Sequence, residues 1–366
     1  MPAMHARPIL LACCAVLLVI GVSSCQTVGY YSQAVSGQWE VWRAAKPIDT
    51  LLEDDNTDPQ LRQRLELVAE IRTFAINELA LPGDDSYRDY ADLGRPYVLW
   101  NVFAAPAYSL QPETWCFPIA GCVGYRGYFS EKDAQAFASG LREKNLDVYV
   151  GGVPAYSTLG WLDDAVLNTF IDYPDAELAR LIFHELAHQV AYAPGDTTFN
   201  ESFATTVELE GVRRWMKATG RRDEIAALDT ALLRQRQFLD LVQHTRDELQ
   251  AVYQSGAPQE VMREQKVDTY SRMREGYQAL KQSWGGYTGY DRWFGNQLNN
   301  AKLASVSTYN QLVPDFARLL AEEGGDLQAF YRAVVELTKL SPEQRRARLA
   351  GEAVACLCCS LDTARG

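Results

Sequence analysis

Residues 183–210 read FHELAHQVAYAPGDTTFNESFATTVELE, and this stretch constrains the fold more than any other. His184 and His188 stand four apart with Glu185 between them. On a helix that spacing puts both imidazoles on one face, where they can address a single metal ion. Glu185 lies about 100° round from His184, near enough to reach a water on the metal without becoming a ligand. The flanks supply helix ends: Pro174 suits a first turn, Asp175 and Glu177 suit its positive dipole end, and Pro194-Gly195 stops it. A catalytic zinc takes three protein ligands and leaves one position for water, so the chain must fold back to bring a third.

Few residues can serve. The four histidines are His5, His184, His188 and His244. A metzincin would need Gly at 191 and His at 194, where Ala191 and Pro194 stand, so that class is excluded. Asn200 is expected to cap a second helix running to about Ala218, with Glu201 in its first turn as the third ligand. Asp196 and Glu208 are the alternatives. Glu208 also suits a carboxylate orienting a ligand histidine from behind. No cysteine lies nearby in sequence, which argues against a closed structural zinc site.

The chain begins MPAMHARPILLACCAVLLVIGVSSC, with Arg7 ahead of an apolar run over 9–20 and small residues leading into Cys25. That run is too short to span a bilayer and reads as an export signal over residues 1–24. Val22-Ser23-Ser24-Cys25 resembles a lipobox, which makes Cys25 the expected lipidation site; an ordinary signal peptide cut near Ser24 is the alternative. Gln26, in place of Asp, implies the outer membrane, with the protein facing the periplasm. A net charge of -12 without a basic stripe excludes nucleic acid as a partner. In an oxidising compartment Cys116 and Cys122, which flank a short loop, are expected to pair as a disulfide. The tail cysteines Cys356, Cys358 and Cys359 have no assigned role.

The expected fold is α+β and mainly helical, a small mixed sheet plus the active-site helix. Residues 25–95 read as a helical segment, with Leu61, Leu65, Val68, Ile71, Phe74 and Leu79 largely on one face. Residues 96–220 form the catalytic core, with strands near 97–105, 123–129 and 147–153 around a helix near 131–144. Residues 221–286 read as a long antiparallel helical hairpin turning at Ser255–Pro258, and 287–366 as helices completing the catalytic domain.

Asn200-Glu201-Ser202-Phe203-Ala204, with Glu208 following, is similar to the N-E-G-F-A-x-x-x-E of gluzincin aminopeptidases of the alanyl type. More closely, YVGGVPAYSTLGWLDDAVLNTF, RLIFHELAHQ, WCFPIAGC and LNNAKLASVSTYNQLVP resemble a bacterial lipoprotein family of that clan named for an aminopeptidase activity. The likeness covers nearly the whole mature chain. It implies a zincin-like metallopeptidase fold with His184, His188 and Glu201 on one Zn2+ and Glu185 as general base. It also implies an edge strand around Gly152–Trp161 on which a peptide lies by strand addition. The His188-to-Glu201 spacing is shorter than in the alanyl-type enzymes, and their G-x-M-E-N acid, which grips the substrate amine, is absent. Asp163 and Asp164 are candidates to replace it. Tyr287, Tyr290, Tyr309 and His244 are candidates to steady the oxyanion.

The expected function is a membrane-anchored zinc peptidase acting on peptides or unfolded chains, as an aminopeptidase. The alternatives are a zinc endopeptidase of periplasmic proteins, a zinc hydrolase of non-peptide amides, and a non-catalytic envelope scaffold.

Overall fold

A computed structural model describes residues 29–351 apart from 118–120, 157, 159–162, 296 and 308–311. The export signal, Cys25, Trp161, Tyr309 and the tail cysteines lie outside the described residues.

The N-terminal segment is helical but interrupted. Helix α1 (29–44) runs into a short strand β1 (Ala45–Pro47), then α2 (Ile48–Glu53) and α3 (Pro59–Leu79). The strand was not expected; its cause is Pro47, which biases Lys46 away from helical backbone. In α3 the Asp58 side chain accepts from the Gln60 and Leu61 amides, and Pro59 fills the first helical position. Leu65, Val68, Ile71 and Leu79 are buried as the periodicity requires, and Leu61 and Phe74 pack partly buried against the same core.

Two small three-stranded sheets follow. In the first, β2 (Asp89–Ala91) lies between β1, antiparallel, and β8 (Val166–Leu167), parallel. In the second, β3 (Leu99–Pro106) is central, with β6 (Arg126–Tyr128) and β7 (Leu146–Val153) antiparallel on either side. Alternation along β3 sorts its two faces. Trp100, Val102 and Ala104 meet Ala134 and Ala138 of α4 (Glu131–Arg142). Phe103 and Ala105 face the other way, onto Ala301 of α10 (Asn300–Ser307). A separate ribbon, β4 (Trp115–Phe117) with β5 (Gly121–Val123), pairs Cys116 directly with Cys122, and their disulfide closes it as expected.

The largest core gathers α3, α5 (Asp175–Val190), α6 (Thr197–Ala218), α11 (Val313–Glu322), α12 (Leu327–Thr338) and α13 (Pro342–Leu349). Phe183, Phe199, Phe203, Trp215, Phe316 and Phe330 are fully buried there. Helices α7 (Ile225–Gln254) and α8 (Gln259–Ser283) pack together across a turn at 255–258, forming the expected hairpin. It has its own core of Phe238, Val242, Met273 and Tyr277, closed by Phe294 of α9 (Asp291–Gly295).

Helix α6 passes close to both α3 and α5 at Gly211. A β-carbon there would sit 2.8 Å from Leu79 Cδ1 and 2.9 Å from Phe183 Cδ2. Gly211→Ala gains about 1 kcal/mol of helix propensity but overpacks the junction at a cost of about 1–3 kcal/mol. Overpacking should win: the variant is expected to unfold at lower denaturant than wild type, and an unchanged or higher midpoint would show the helices have room to part.

Candidate active site

Helix α5 carries its core face on Leu178, Ala179, Ile182, Phe183, Leu186 and Ala187, leaving His184 and His188 on the adjacent face. The helix ends at Ala191, whose backbone is extended, and Gly195 takes a φ of +80°, a conformation that favours glycine. The cap of α6 corrects the expectation for Asn200. The Asp196 side chain accepts from the Phe199 amide and is the N-cap, while Asn200 lies one turn inside the helix. Asn200 does different work: its Oδ1 accepts from the Ala193 amide at 2.7 Å and its Nδ2 donates to the Ala193 carbonyl at 2.9 Å. Both ends of one buried carboxamide thus clamp the turn, and the clamp aims the next residue, Glu201, back at α5. Asp196 is further fixed by the buried guanidinium of Arg345 from α13. Its carboxylate is therefore committed to the cap and to Arg345.

His184, His188 and Glu201 offer one ligand atom each within 4.8 Å of one another. Glu201 Oε2 lies 3.3 Å from His184 Nε2, and Glu201 Oε1 lies 3.8 Å from His188 Nε2. Ligand atoms about 2.1 Å from a tetrahedral zinc stand about 3.4 Å apart, so the two Glu201–histidine separations come near such a site and the donor chemistry suits it. Among the described residues it is the one group of three or more such side chains so placed.

Glu208 stands behind the first histidine. Its Oε2 lies 2.9 Å from His184 Nδ1, and its Oε1 accepts from Arg180 Nη2 at 2.6 Å. Arg180 also bonds Glu177 at 3.0 Å. Burial would raise the Glu208 pKa, but the Arg180 charge and the His184 hydrogen bond outweigh it and hold the group ionised. An ionised carboxylate only accepts, so Nδ1 carries the proton and Nε2 faces Glu201. Burial lowers the His184 pKa, yet its bonds to Glu201 and Glu208 raise it well above the ordinary value overall. Buried next to it, His188 is pushed down to about 4 and stays neutral. Burial opposes the Glu201 charge, but the two histidines hold that carboxyl below its usual range.

Glu185 is half-buried on the cavity wall. Burial, with Glu201, Asp164 and Glu208 adding to it against the pull of His184, pushes its carboxyl up to about 7. That is the range of a general base working near neutrality.

These groups line a cavity of about 290 Å3 whose other wall is the second sheet: Leu99 and Asn101 of β3, Val153 of β7, and Ala155 and Tyr156 beyond it. The segment expected to carry substrate therefore borders the cavity at 153–156. Tyr287, Tyr290 and His244 do not line it. Tyr290 stacks on Phe238 in the hairpin core, Tyr287 packs beside it, and His244 is exposed, paired with Glu248. Asp163 and Asp164 also lie off it, and Asp164 accepts from the Thr158 amide. Sequence patterning missed Arg180 and Tyr125. Arg180 lies one helical turn before His184, the one signal available; Tyr125 had none beyond following Cys122.

Removing the carboxylate behind His184 should weaken metal binding without abolishing it. Glu208→Gln is expected to cost 10–100-fold in zinc affinity, read by competition with a chromophoric chelator, whereas Glu201→Ala should lose tight binding altogether. Equal affinities in wild type and Glu208→Gln would remove Glu208 from the metal site.

Residues 29–349 match the sequence profile of a family described as "Putative aminopeptidase". No curated protein and no solved structure matches the chain. The profile spans nearly all the described residues, His184, Glu185, His188 and Glu201 among them, and the chain belongs to that aminopeptidase family.

Proposed function

We propose that this chain is a zinc-dependent aminopeptidase of the gluzincin type, held on the bacterial envelope through a lipidated Cys25 and acting on peptides in the periplasm. The observation that carries the activity is the convergence of His184, His188 and Glu201 with Glu185 on one cavity wall. The placing of α5 and a small sheet on opposite walls of that cavity supports a zincin-like fold. Tethering through lipid is compatible with the helices, none of which, among the described residues, is long and apolar enough to cross a membrane.

A bound zinc ion would supply Lewis acidity, polarising the scissile carbonyl and acidifying a water. The protein's own groups do the rest. Arg180 and Glu208 hold His184 with Nε2 forward, and the Asn200 clamp holds Glu201. Glu185 accepts the water's proton on a carboxylate oxygen and returns it to the leaving amine. Leu99, Val123, Val153 and Ala155 offer apolar surface for a side chain beside the scissile bond. A cavity of about 290 Å3 lies at the small end for ligand sites, which favours the end of a peptide over the middle of a long chain.

One observation favours endopeptidase action instead: among the described residues Glu185 and Glu201 are the acidic ones on the cavity, and none of the others lining it offers a separate carboxylate to a free amine. Matched peptides with free and acetylated N-termini separate the two, since an aminopeptidase cleaves only the free form. Glu185→Gln is expected to keep one zinc per chain and lose about 10²–10⁴-fold in kcat, measured by chromatography of peptide products. Full activity in that variant would overturn the mechanism.

A further inference from the structure

The cavity needs one more group, a donor for the carbonyl oxygen that gains negative charge as water adds, and several of its polar side chains are already engaged. The Tyr156 hydroxyl donates to Gln38. Asn200 spends both ends of its carboxamide on Ala193. Asn101 turns its Oδ1 against Gly127, where it is buried without a hydrogen-bond partner. Tyr125 offers an O–H donor: it lines the cavity with His184, Glu185, His188 and Glu201, and among the described residues its hydroxyl has no hydrogen-bond partner.

Tyr125 is held from two sides. Its ring packs 5.7 Å from that of Phe103 on β3. Two residues before it, β5 ends the ribbon closed by Cys116–Cys122. That ribbon rests on the turn between the two ligand-bearing helices. Gly121 has a φ of +74°, and a β-carbon there would lie 2.8 Å from the Gly195 amide nitrogen and 3.1 Å from its Cα. So close an approach means that the ribbon takes its position from the same turn that aims Glu201.

Resting on the zinc-peptidase reading above, we propose that Tyr125 donates the hydrogen bond that steadies the scissile carbonyl oxygen in the transition state, and that the disulfide ribbon is the device that positions it. The donor is a hydroxyl that must keep its proton. Burial, then the nearby Glu201, Tyr192 and Glu185, push the Tyr125 phenol well above its ordinary pKa and keep it protonated. No proton transfer is required of it, since Glu185 handles the proton.

The test uses the zinc-loaded mature protein, a free-amine peptide and a phosphinic peptide that mimics the tetrahedral geometry. Tyr125→Phe is expected to lower kcat about 10²–10³-fold, the usual cost of one oxyanion donor, with KM and zinc content unchanged. Calorimetry should show phosphinate affinity falling by a similar factor, while the substrate's affinity for Glu185→Gln is unaltered by adding Tyr125→Phe. The pair Cys116→Ala with Cys122→Ala should retain zinc and lower kcat in the wild-type background, but cost nothing further on top of Tyr125→Phe, because both changes remove one interaction. A Tyr125→Phe enzyme within about threefold of wild-type kcat would overturn the proposal, as would a large kcat loss in Tyr192→Phe with Tyr125→Phe silent. Equal disulfide costs in both backgrounds would overturn the ribbon's part. A wild type that binds no zinc and cleaves nothing overturns the peptidase itself, and is told apart from the other results by the zinc assay alone.

Discussion

Everything near the cavity depends on burying more negative than positive charge. Glu208 is buried and Glu185 and Glu201 are half-buried, and among the described residues Arg180 is the one permanent cation bonded to any of them. Each buried charge costs several kcal/mol unless a partner compensates. Arg180 compensates Glu208, which leaves Glu201 and the two imidazoles to be satisfied and Glu185 to be tuned. A divalent cation between Glu201 and the histidines would supply the missing positive charge, and the lone-pair side of each imidazole would bind it. The rest of the protein reads as the means of holding that arrangement: a helix for the two histidines, a clamped turn for Glu201, and a guanidinium for the carboxylate behind.

The hold extends far along the sequence. Arg345, in the last described helix, reaches Asp196 at the start of α6 and also bonds the Leu337 and Leu340 carbonyls. The Leu312 amide donates to Ser202 Oγ, one residue past Glu201. A helical C-terminal part is therefore not an appendage to the metal site. It fixes the end of α6 from which Glu201 projects, and the buried Arg345–Asp196 pair could not be cut on one side without leaving a charge unpaired in the core.

How much of this was legible depended on whether the signal was local. The helix under HELAH, the hydrophobic face of α3, the hairpin and the Cys116–Cys122 pair all rest on spacings within a few residues or turns, where periodicity and capping rules apply. The role of Asn200 was misassigned for an informative reason. Asp196 and Asn200 are both good capping residues four apart, and the choice between them lies in where the chain turns, which Gly195 decides with its positive φ. Three of the oxyanion candidates, Tyr287, Tyr290 and His244, stand away from the cavity for a different reason. Residue type alone does not place them, and tyrosine also serves to stack in cores; Phe238 holds Tyr290 in that capacity. Tyr125 enters the site through tertiary approach, which nothing in its neighbours announces, and Arg180 is signalled only by lying one helical turn before His184.

The cavity's two walls are backed by different clusters, although Leu99, Ala155 and Tyr156 of the sheet wall also pack against the large helical core. One wall, α5 with α6, belongs to the large helical core. The other, around β3, is backed by α4 on one face and by Ala301 of α10 on the other. Substrate must fit the gap between them, so the gap has to be set by contacts that cross it. Gly121 against Gly195 is such a contact, and glycine on both sides allows backbone to meet backbone there without a side chain between. A metal site needs its ligands held to a few tenths of an ångström, and α5 and α6, with Arg345 and Leu312 fixing the start of α6, present the three candidate ligands. Rate enhancement needs in addition that the opposite wall keep register with the metal. The fold therefore keeps the three candidate ligands within one core and sets the opposite wall through the joint between two.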